Sequence, residues 1–279
     1  MNKPEERLSS AALYALAAAR EILSDGKAVL LTGAGLSTDS GIPDYRGAGR
    51  VARHPMTFDS FMSGIEAQQR YWARSFVGFS RIAMAKPNQG HFALAKAEKS
   101  GRLVGLITQN VDGLHQAAGS SQVLDLHGRL DKVVCMKCSE VFERVLVDDW
   151  IAELNPRIER DESIEFTPDG DAEVLLTDTF VVPTCKKCGG TIKPDVVFFG
   201  EQVPLARVNE ATAWVEAADA LVVAGSSLAV NSGMRFARMA HKAGKPIIIV
   251  NIGPTKADEL AIAKVDANTS DALEVLFHD

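Results

Sequence analysis

The sequence predicts an α/β fold in which a doubly wound parallel sheet carries a smaller inserted domain. Short apolar runs alternate with helix-like stretches along most of the chain, a pattern typical of parallel strands joined by crossover helices. Two stretches, 49–85 and 131–192, break this alternation and are predicted to be insertions. The chain has 279 residues, of which 46% are hydrophobic, so it can bury a full core.

The predicted strands are short, mainly apolar runs at 28–31, 103–107, 123–126, 196–199, 220–224 and 247–250. Three helices have recognisable ends. Ser9 can cap the first, which Gly26 would stop. A second is expected to run from an Asn88 cap to Gly101, and a third occupies about 231–243.

The alternation also suggests domain boundaries. We predict that residues 1–48, 86–130 and 193–279 form the Rossmann-like domain that contains the parallel sheet. Residues 49–85 have the pattern of a loop followed by helix, and residues 131–192 hold all the cysteines and a charged middle. The helical module and the cysteine-containing module would together make the small domain.

Charge and hydropathy exclude two classes of partner. The formal net charge is −6, which disfavours phosphate neutralisation and hence a nucleic-acid partner. No apolar run is long enough to span a bilayer, and the polar start lacks the apolar region of a signal peptide. We expect a cytoplasmic protein without a membrane partner, or a mitochondrial matrix protein if a leader was removed. The oligomeric state is left open, and a monomer is compatible with the sequence.

The four cysteines form two CxxC pairs, Cys135 with Cys138 and Cys185 with Cys188. Two such knuckles supply four thiolates, the ligand set of a structural zinc site without an open position. The alternatives are two disulfides or a redox-active CxxC, and a reducing compartment favours the metal. The gap between the pairs is longer than in common zinc ribbons, so much of 139–184 must lie outside the metal module.

A glycine-rich loop, Gly33-Ala34-Gly35, follows the first predicted strand. Small residues there would let backbone N–H groups approach a pyrophosphate at a helix N-terminus. The alternative is an ordinary tight turn between strand and helix. The loop also departs from the dehydrogenase fingerprint, because it has no third glycine and no acidic residue at the end of a second strand.

The residues after this loop are more specific. From 33 to 46 the chain reads GAGLSTDSGIPDYR, which resembles the cofactor loop of the sirtuins, GAGxSxxSGIPDFR, and differs only by Tyr45 in place of Phe. Further sirtuin-like segments follow in order at 108–115 (TQNVDGLH), 127–128 (HG), 196–201 (VVFFGE) and 225–228 (GSSL). The chain is therefore identified as resembling the sirtuin family over nearly its whole length. Tyr45, the long cysteine gap and Asn-Ile-Gly at 251–253 resemble the class II, mitochondrial-type branch.

The resemblance implies an NAD site, a peptide site and one structural Zn²⁺. The implied NAD-binding residues are Gly33, Ala34, Gly35, Ser37, Ile42, Pro43, Asp44, Tyr45, Arg46, Gln109, Asn110, Asp112, His127, Gly225, Ser226, Ser227, Asn251, Ile252, Gly253 and Thr269. The implied contacts to an acyl-lysine peptide, bound as a strand, are Val197, Phe198, Phe199, Gly200, Glu201, Leu228 and Val230. Two ordinary strand ends would also fit these last two segments.

Among these residues, Asn110 and His127 are the implied catalytic pair. By resemblance Asn110 serves the ribose, Asp112 holds the nicotinamide carboxamide with Ile42, and Tyr45 keeps water from the anomeric carbon. A half-buried loop aromatic and a helix-capping carboxylate are the alternatives for Tyr45 and Asp112. An unperturbed histidine pKa of about 6.5 suits a general base. His91 and His115 are competitors for which packing roles are expected.

The activity that the resemblance implies is NAD-dependent removal of acyl groups from protein lysines. The acyl oxygen attacks the anomeric carbon, nicotinamide leaves, and His127 then deprotonates a ribose hydroxyl, so that the products are lysine, nicotinamide and O-acyl-ADP-ribose. NAD is consumed as a co-substrate. The alternatives are protein mono-ADP-ribosyl transfer in the same pocket and a binding module without turnover. No Tyr stands between Tyr45 and Tyr71, so the Tyr with an Arg three residues later that resembles a succinyl clamp is not expected beside the cofactor loop, and neutral acyl groups are expected to be preferred over succinyl.

Overall fold

A computed structural model of the chain describes residues 3–24, 26–44, 55–158 and 179–278. Its strands are β1 (Ala28–Thr32), β2 (Leu103–Thr108), β3 (Val123–Asp125), β4 (Gly128–Cys135), β5 (Val141–Glu143), β6 (Ile192–Val196), β7 (Ala220–Ala224), β8 (Ile247–Val250) and β9 (Ala263–Val265). They form a six-stranded parallel sheet in the order β3-β2-β1-β7-β8-β9 and a three-stranded antiparallel sheet in the order β5-β4-β6.

The α-helices of the described residues surround these sheets. They are α1 (Ser10–Ile22), α2 (Phe58–Met62), α3 (Ile65–Met84), α4 (Gln89–Lys99), α5 (Leu114–Ala117), α6 (Arg144–Leu154), α7 (Leu205–Ala217), α8 (Asn231–Lys242) and α9 (Thr269–Leu276). None of them combines the length and the apolar character that crossing a bilayer requires.

The parallel sheet is buried on both faces because its central strands are continuously apolar. Successive side chains of a strand point to opposite faces, so Leu30 packs on one side and Leu31 on the other. Residues of α1, α4 and α9 cover the first face, and residues of α7 and α8 cover the second. The predicted doubly wound sheet, with helices on both faces, is confirmed.

A separate core joins the two inserted modules. Residues of α2, α3, α6, β4 and β6 share one apolar cluster that includes Phe61 and Trp72. Within it the fully buried Arg144 guanidinium donates to the Asp148 carboxylate at 2.6 Å and to the Ser75 hydroxyl and carbonyl at 3.1 and 3.0 Å. The same cation lies 4.5 Å from the centre of the Phe79 ring. These contacts attach α6 to α3.

One predicted strand was assigned to the wrong sheet. The run at 196–199 was expected to be a strand of the large sheet, but the strand is Ile192–Val196 and it pairs antiparallel with β4. A short apolar run shows that a segment is buried and does not identify its partner. Beyond Val196 only an isolated bridge, Thr57 with Phe199, continues the pairing. The other predicted strands and the helices α4 and α8 are confirmed to within one or two residues, whereas α1 ends at Ile22, several residues before the predicted stop at Gly26. The predicted domain limits stay a proposal, although β4 runs across the one at 130 and β6 across the one at 192.

Candidate active site

The site lies where β1 and β7 end side by side. Chain connections run from β1 towards β2 and β3 on one side and from β7 towards β8 and β9 on the other, so this is the switch point of the sheet. Gly35 N–H donates to the Gly225 carbonyl at 2.9 Å. A Cβ at Gly33 would lie 2.8 Å from the same carbonyl oxygen, and one at Gly225 would lie 2.7 Å from the Gly35 carbonyl carbon. Glycine is therefore needed because two loops touch.

This arrangement corrects one expectation about the glycine loop. The amides of Gly33 and Gly35 were expected to face a pyrophosphate, but they donate to the carbonyls of Ala224 and Gly225. No long helix follows the loop either, because the chain makes two short 3-10 turns, Ala34–Leu36 and Thr38–Ser40. Packing between the loops after β1 and β7 uses these two amides.

Three predicted polar residues form one connected network. Asn110 Nδ2 donates to the Gly33 carbonyl at 3.1 Å and to Ser37 Oγ at 3.0 Å. Ser37 Oγ in turn donates to Asp112 Oδ2 at 2.7 Å, and Asp112 Oδ1 accepts the Leu114 N–H at 2.9 Å. Asp112 thus supports the start of α5, as expected for its alternative role as a helix-capping carboxylate. Burial raises the pKa of Asp112, and these hydrogen bonds oppose the shift.

His127 is held through both ring nitrogens. Its Nδ1 lies 3.1 Å from the Gln109 carbonyl, and its Nε2 lies 2.9 Å from Ser232 Oγ. A carbonyl can only accept, so Nδ1 carries the proton of the neutral ring and Nε2 is the basic nitrogen. Burial lowers the pKa of His127 to about 4, below the expected 6.5, so the imidazole is neutral at pH 7.

His91 and His115, the two competing histidines, pack as expected. His115 is buried beneath β1, with Nε2 2.9 Å from Thr32 Oγ1. His91 is also buried, and its Nδ1 accepts the Asn88 N–H at 3.3 Å. The two rings lie 5.0 Å apart. Burial lowers the pKa of His91 to about 4 and that of His115 to about 3.

The predicted peptide segment begins beside His127. Val197 N–H donates to the His127 carbonyl at 2.8 Å. The turn that follows is held by Glu201, whose Oε2 accepts the Phe198 N–H at 2.9 Å and the Lys193 ammonium at 3.0 Å. On the second segment, Leu228 has a φ of 53° and donates its N–H to Ser226 Oγ. Ser226 Oγ donates to Gln109 Oε1 at 2.6 Å, which links this segment to the end of β2.

The four cysteines lie together in the small domain. Their sulfurs are all within 4.8 Å of one another, with Cys135 Sγ 3.5 Å from Cys188 Sγ and Cys138 Sγ 3.7 Å from Cys185 Sγ. A tetrahedron with Zn–S bonds of about 2.3 Å has sulfurs about 3.8 Å apart. A disulfide has an S–S bond of about 2.05 Å, and all four cysteines are free. The donor set and its dimensions fit Zn²⁺.

Comparison with known proteins decides the family. The model of the Sir2 family matches residues 33–232, more than half of the chain. This chain is a sirtuin. An "NAD-dependent protein deacetylase" of Xanthomonas campestris is 51% identical over 251 residues, covering 88% of this chain and 85% of that protein. An "NAD-dependent protein deacetylase 1" of Streptomyces coelicolor is 48% identical, covering 90% of this chain and 85% of that protein.

Solved sirtuin structures agree with the fold. One described as "Structural Basis for the Mechanism and Regulation of Sir2 Enzymes" has a TM-score of 0.73 and 34% identity, and the match covers 95% of this chain and 96% of that one. Another, "Sir2-p53 peptide-NAD+", has a TM-score of 0.73 and 31% identity, covering 91% of this chain and 93% of that one.

The remaining predicted cofactor residues of this sirtuin divide into three groups. Asn251 is buried and its Nδ2 donates to the Ile252 carbonyl at 2.7 Å, while the Ile252 side chain is 70% exposed at the same edge. Ile42 is buried and leads into the loop that was expected to carry Tyr45 and Arg46, which lie outside the described residues. Thr269 is buried at the start of α9.

Sequence reasoning gave no role of its own to Ser232, whose hydroxyl contacts His127 in this sirtuin. Ser232 lies in the first turn of α8, where serine is common for reasons unrelated to catalysis. The only sequence signal was its position four residues after Leu228, at the end of a matched segment. That spacing does not predict contact with a histidine 105 positions earlier in the chain.

Proposed function

We propose that this sirtuin is an NAD-dependent protein-lysine deacylase of the deacetylase type, which transfers the acyl group to ADP-ribose and releases nicotinamide. The observation that carries the proposal is His127, whose unprotonated Nε2 lies at a sheet edge shared with Asn110 and Asp112. Its own carbonyl binds Val197, so the base and the proposed peptide segment are directly connected. The curated relatives named as deacetylases support the same activity.

The residues of the chain fit NAD at this edge. Asn110, Ser37 and Asp112 present amide, hydroxyl and carboxylate groups of the kinds that bind ribose hydroxyls and a carboxamide. When bound, NAD supplies the ADP-ribosyl group that accepts the acyl group. We assign the ribose to Asn110 and the carboxamide to Asp112 with Ile42. Gly33, Gly225 and the residues around Asn251 would border the phosphates and the adenosine.

The general base is the part of the reaction that the chain supplies. The Gln109 carbonyl holds the proton on Nδ1, so Nε2 is the nitrogen that takes a proton from a ribose hydroxyl. Because the ring is neutral at pH 7, this step requires no prior deprotonation. An acyl-lysine peptide would add as a strand between 197–201 and 228–230, through main-chain hydrogen bonds.

The test is His127→Ala, assayed with NAD and an acetyl-lysine peptide by mass spectrometry. We expect deacylation to fall about 10²-fold or more, the usual contribution of a positioned base, while NAD binding is retained. Exchange of labelled nicotinamide precedes the base step and should persist. His241→Ala, at an exposed position in α8, is the matched control. Near wild-type deacylation by His127→Ala would refute the assignment.

Mono-ADP-ribosyl transfer is the second activity that the same pocket could support. It differs in needing no base for a ribose hydroxyl, so it should survive His127→Ala. Transfer of label from NAD to protein in that variant, without deacylation by the wild type, would favour it. A binding module without turnover would release no nicotinamide at all.

We further propose that neutral acyl chains are removed at least as well as acetyl, and succinyl poorly. Phe61, Tyr71 and Phe198 form an apolar cluster, with Phe61 and Phe198 ring centres 5.3 Å apart, and Phe58 N–H donates to the Phe199 carbonyl beside it. An acyl chain against this cluster would gain about 0.8 kcal/mol for each buried methylene. Arg50 and Arg53, two cations that could read a carboxylate, lie outside the described residues, and Arg74, three residues after Tyr71, is a third.

Measuring kcat/KM for acetyl, butyryl, longer acyl and succinyl forms of one peptide tests this preference. A clear preference for succinyl would refute it and would point to Arg50, Arg53 or Arg74. The assignments to the class II, mitochondrial-type branch and to the cytoplasm also stay proposals, since both named relatives are bacterial sirtuins whose names state neither.

A further inference from the structure

The basic nitrogen of His127 is already occupied by a group of the chain itself. Nδ1–H donates to the Gln109 carbonyl, so Nε2 of the neutral ring has a lone pair and no proton. The Ser232 hydroxyl, 2.9 Å away, is therefore the donor and Nε2 the acceptor. In the free enzyme the Ser232 hydroxyl therefore occupies the Nε2 lone pair that would otherwise accept the proton of a ribose hydroxyl.

Both hydrogen bonds of the ring depend on one packed unit. Ser232 is the second residue of α8, and its neighbour Gly233 presses against the Gln109 side chain. A Cβ at Gly233 would lie 2.8 Å from Gln109 Nε2. Gln109 also accepts the Ser226 hydroxyl at 2.6 Å. The start of α8 is therefore fixed on the same residue whose carbonyl holds Nδ1, so the two ends of the imidazole cannot shift independently.

We propose that Ser232 is a positioning residue for the general base, whose hydroxyl favours the neutral form of His127 and holds the ring in its orientation until a ribose hydroxyl takes its place. The proposal rests on the assignment of His127 as the base. A hydroxyl that donates to Nε2 stabilises the neutral ring over the imidazolium, which has no lone pair to accept it. Arg207, on α7, is the charged side chain that acts on His127 across space in the described part of the chain, and it also disfavours the imidazolium.

The experiment compares Ser232→Ala and Ser232→Thr with the wild-type enzyme. Loss of one hydrogen bond to the neutral ring should raise the pKa of His127 by about half to one pH unit. The acid limb of the kcat/KM profile should move up by the same amount from a pKa of about 4, so that Ser232→Ala loses about two- to fivefold more activity at pH 4 than at pH 7. Ser232→Thr keeps the hydroxyl and should restore the wild-type profile. Asn231→Ala, at the exposed first residue of α8, controls for damage to the helix start.

The second readout is independent of turnover. A nitrogen-15 NMR titration of the His127 ring in the full chain reports its tautomer and pKa directly, so it remains decisive even if no peptide is deacylated and the proposed function fails. An unchanged pKa in Ser232→Ala, or a tautomer with the proton on Nε2, would overturn the proposal. A loss as large as that of His127→Ala at every pH would also overturn it, because Ser232 would then take part in the chemistry itself.

Discussion

The two sheets of this sirtuin are stabilised in different ways. In the six-stranded sheet every residue of β1, β7 and β8 is buried, and helices cover both faces. In the three-stranded sheet β5 is largely exposed and β4 alternates between buried and partly exposed positions. The large sheet therefore has an apolar core of its own. The small sheet shares its apolar core with α2, α3 and α6, and it has the cysteine cluster at its end as a second source of stability.

The comparison also separates stability from chemistry. The polar residues of the site follow strands of the large sheet, whereas Val197, which donates to the His127 carbonyl, follows β6 of the small one. Damage to the cysteine cluster should therefore reach the base through the chain beyond β6. Damage to the large sheet should reach it through the loops that follow β1 and β7.

The largest effect is expected from loss of the metal ligands. Cys185→Ser removes one of four thiolates, and structural zinc sites contribute on the order of 10 kcal/mol to folding. We expect the small domain to unfold and activity to disappear, with about one zinc per chain in the wild type by elemental analysis. Chelation followed by Zn²⁺ should restore activity, and Mg²⁺ is the control. A metal-free, fully active enzyme would contradict the comparison.

A smaller effect is expected where the two loops of the large sheet touch. Gly225→Ala places a Cβ against Gly35 at a φ of 65° and should cost about 2 to 4 kcal/mol of folding free energy, with weaker NAD binding. Gly244→Ala is the matched control, since its φ is 70° and its Cβ would meet no described atom within 4 Å. It should cost only about 1 to 2 kcal/mol. Denaturant melts measure both, and equal costs would refute the contact.

The most gradual effect, and for each histidine and pH unit the smallest, is expected on acidification. His91 and His115 have folded-state pKa values of about 4 and about 3, below the ordinary 6.5. Between pH 6.5 and 4 the unfolded state binds their protons and the folded state does not, so their stability contribution is complete above pH 6.5 and declines below it. Each should add about 1.4 kcal/mol per pH unit to the slope. In His91→Asn this slope should decrease, whereas His241→Asn, at an exposed site, should leave it unchanged.

Much of the ligand edge could be predicted from the sequence. Buried strands are short and apolar, and polar residues such as Gln109 and Asn110 follow them directly, so their position at a carboxyl edge needs no knowledge of the fold. The metal site of the four cysteines could also be predicted, because few other kinds of site use two CxxC pairs. The sirtuin-like segments added an expected role for each residue at positions that the strand pattern had already placed at this edge.

The missing parts depend on contacts between distant residues. The partner of Val196 is β4, which no local pattern reveals. The amide of Gly35 binds the Gly225 carbonyl 190 positions away, a contact that the glycine-rich pattern does not reveal. The lowered pKa of His127 arises from burial, which the residue type does not report. The contact between Ser232 and His127 likewise joins residues that are distant in the sequence.

The buried Arg144 has a consequence for how such a chain could be recombined. Its guanidinium donates to Ser75, on the helical insertion, and to Asp148, on α6 of the cysteine-containing insertion. Transplanting the cysteine-containing insertion alone would keep the Arg144–Asp148 pair but remove the two Ser75 acceptors, and transplanting the helical insertion alone would leave those acceptors buried without a donor, at a cost of about 1 to 3 kcal/mol. The two insertions are separate in the sequence but share buried contacts. We therefore expect chimeras to fold only when both insertions come from the same parent protein.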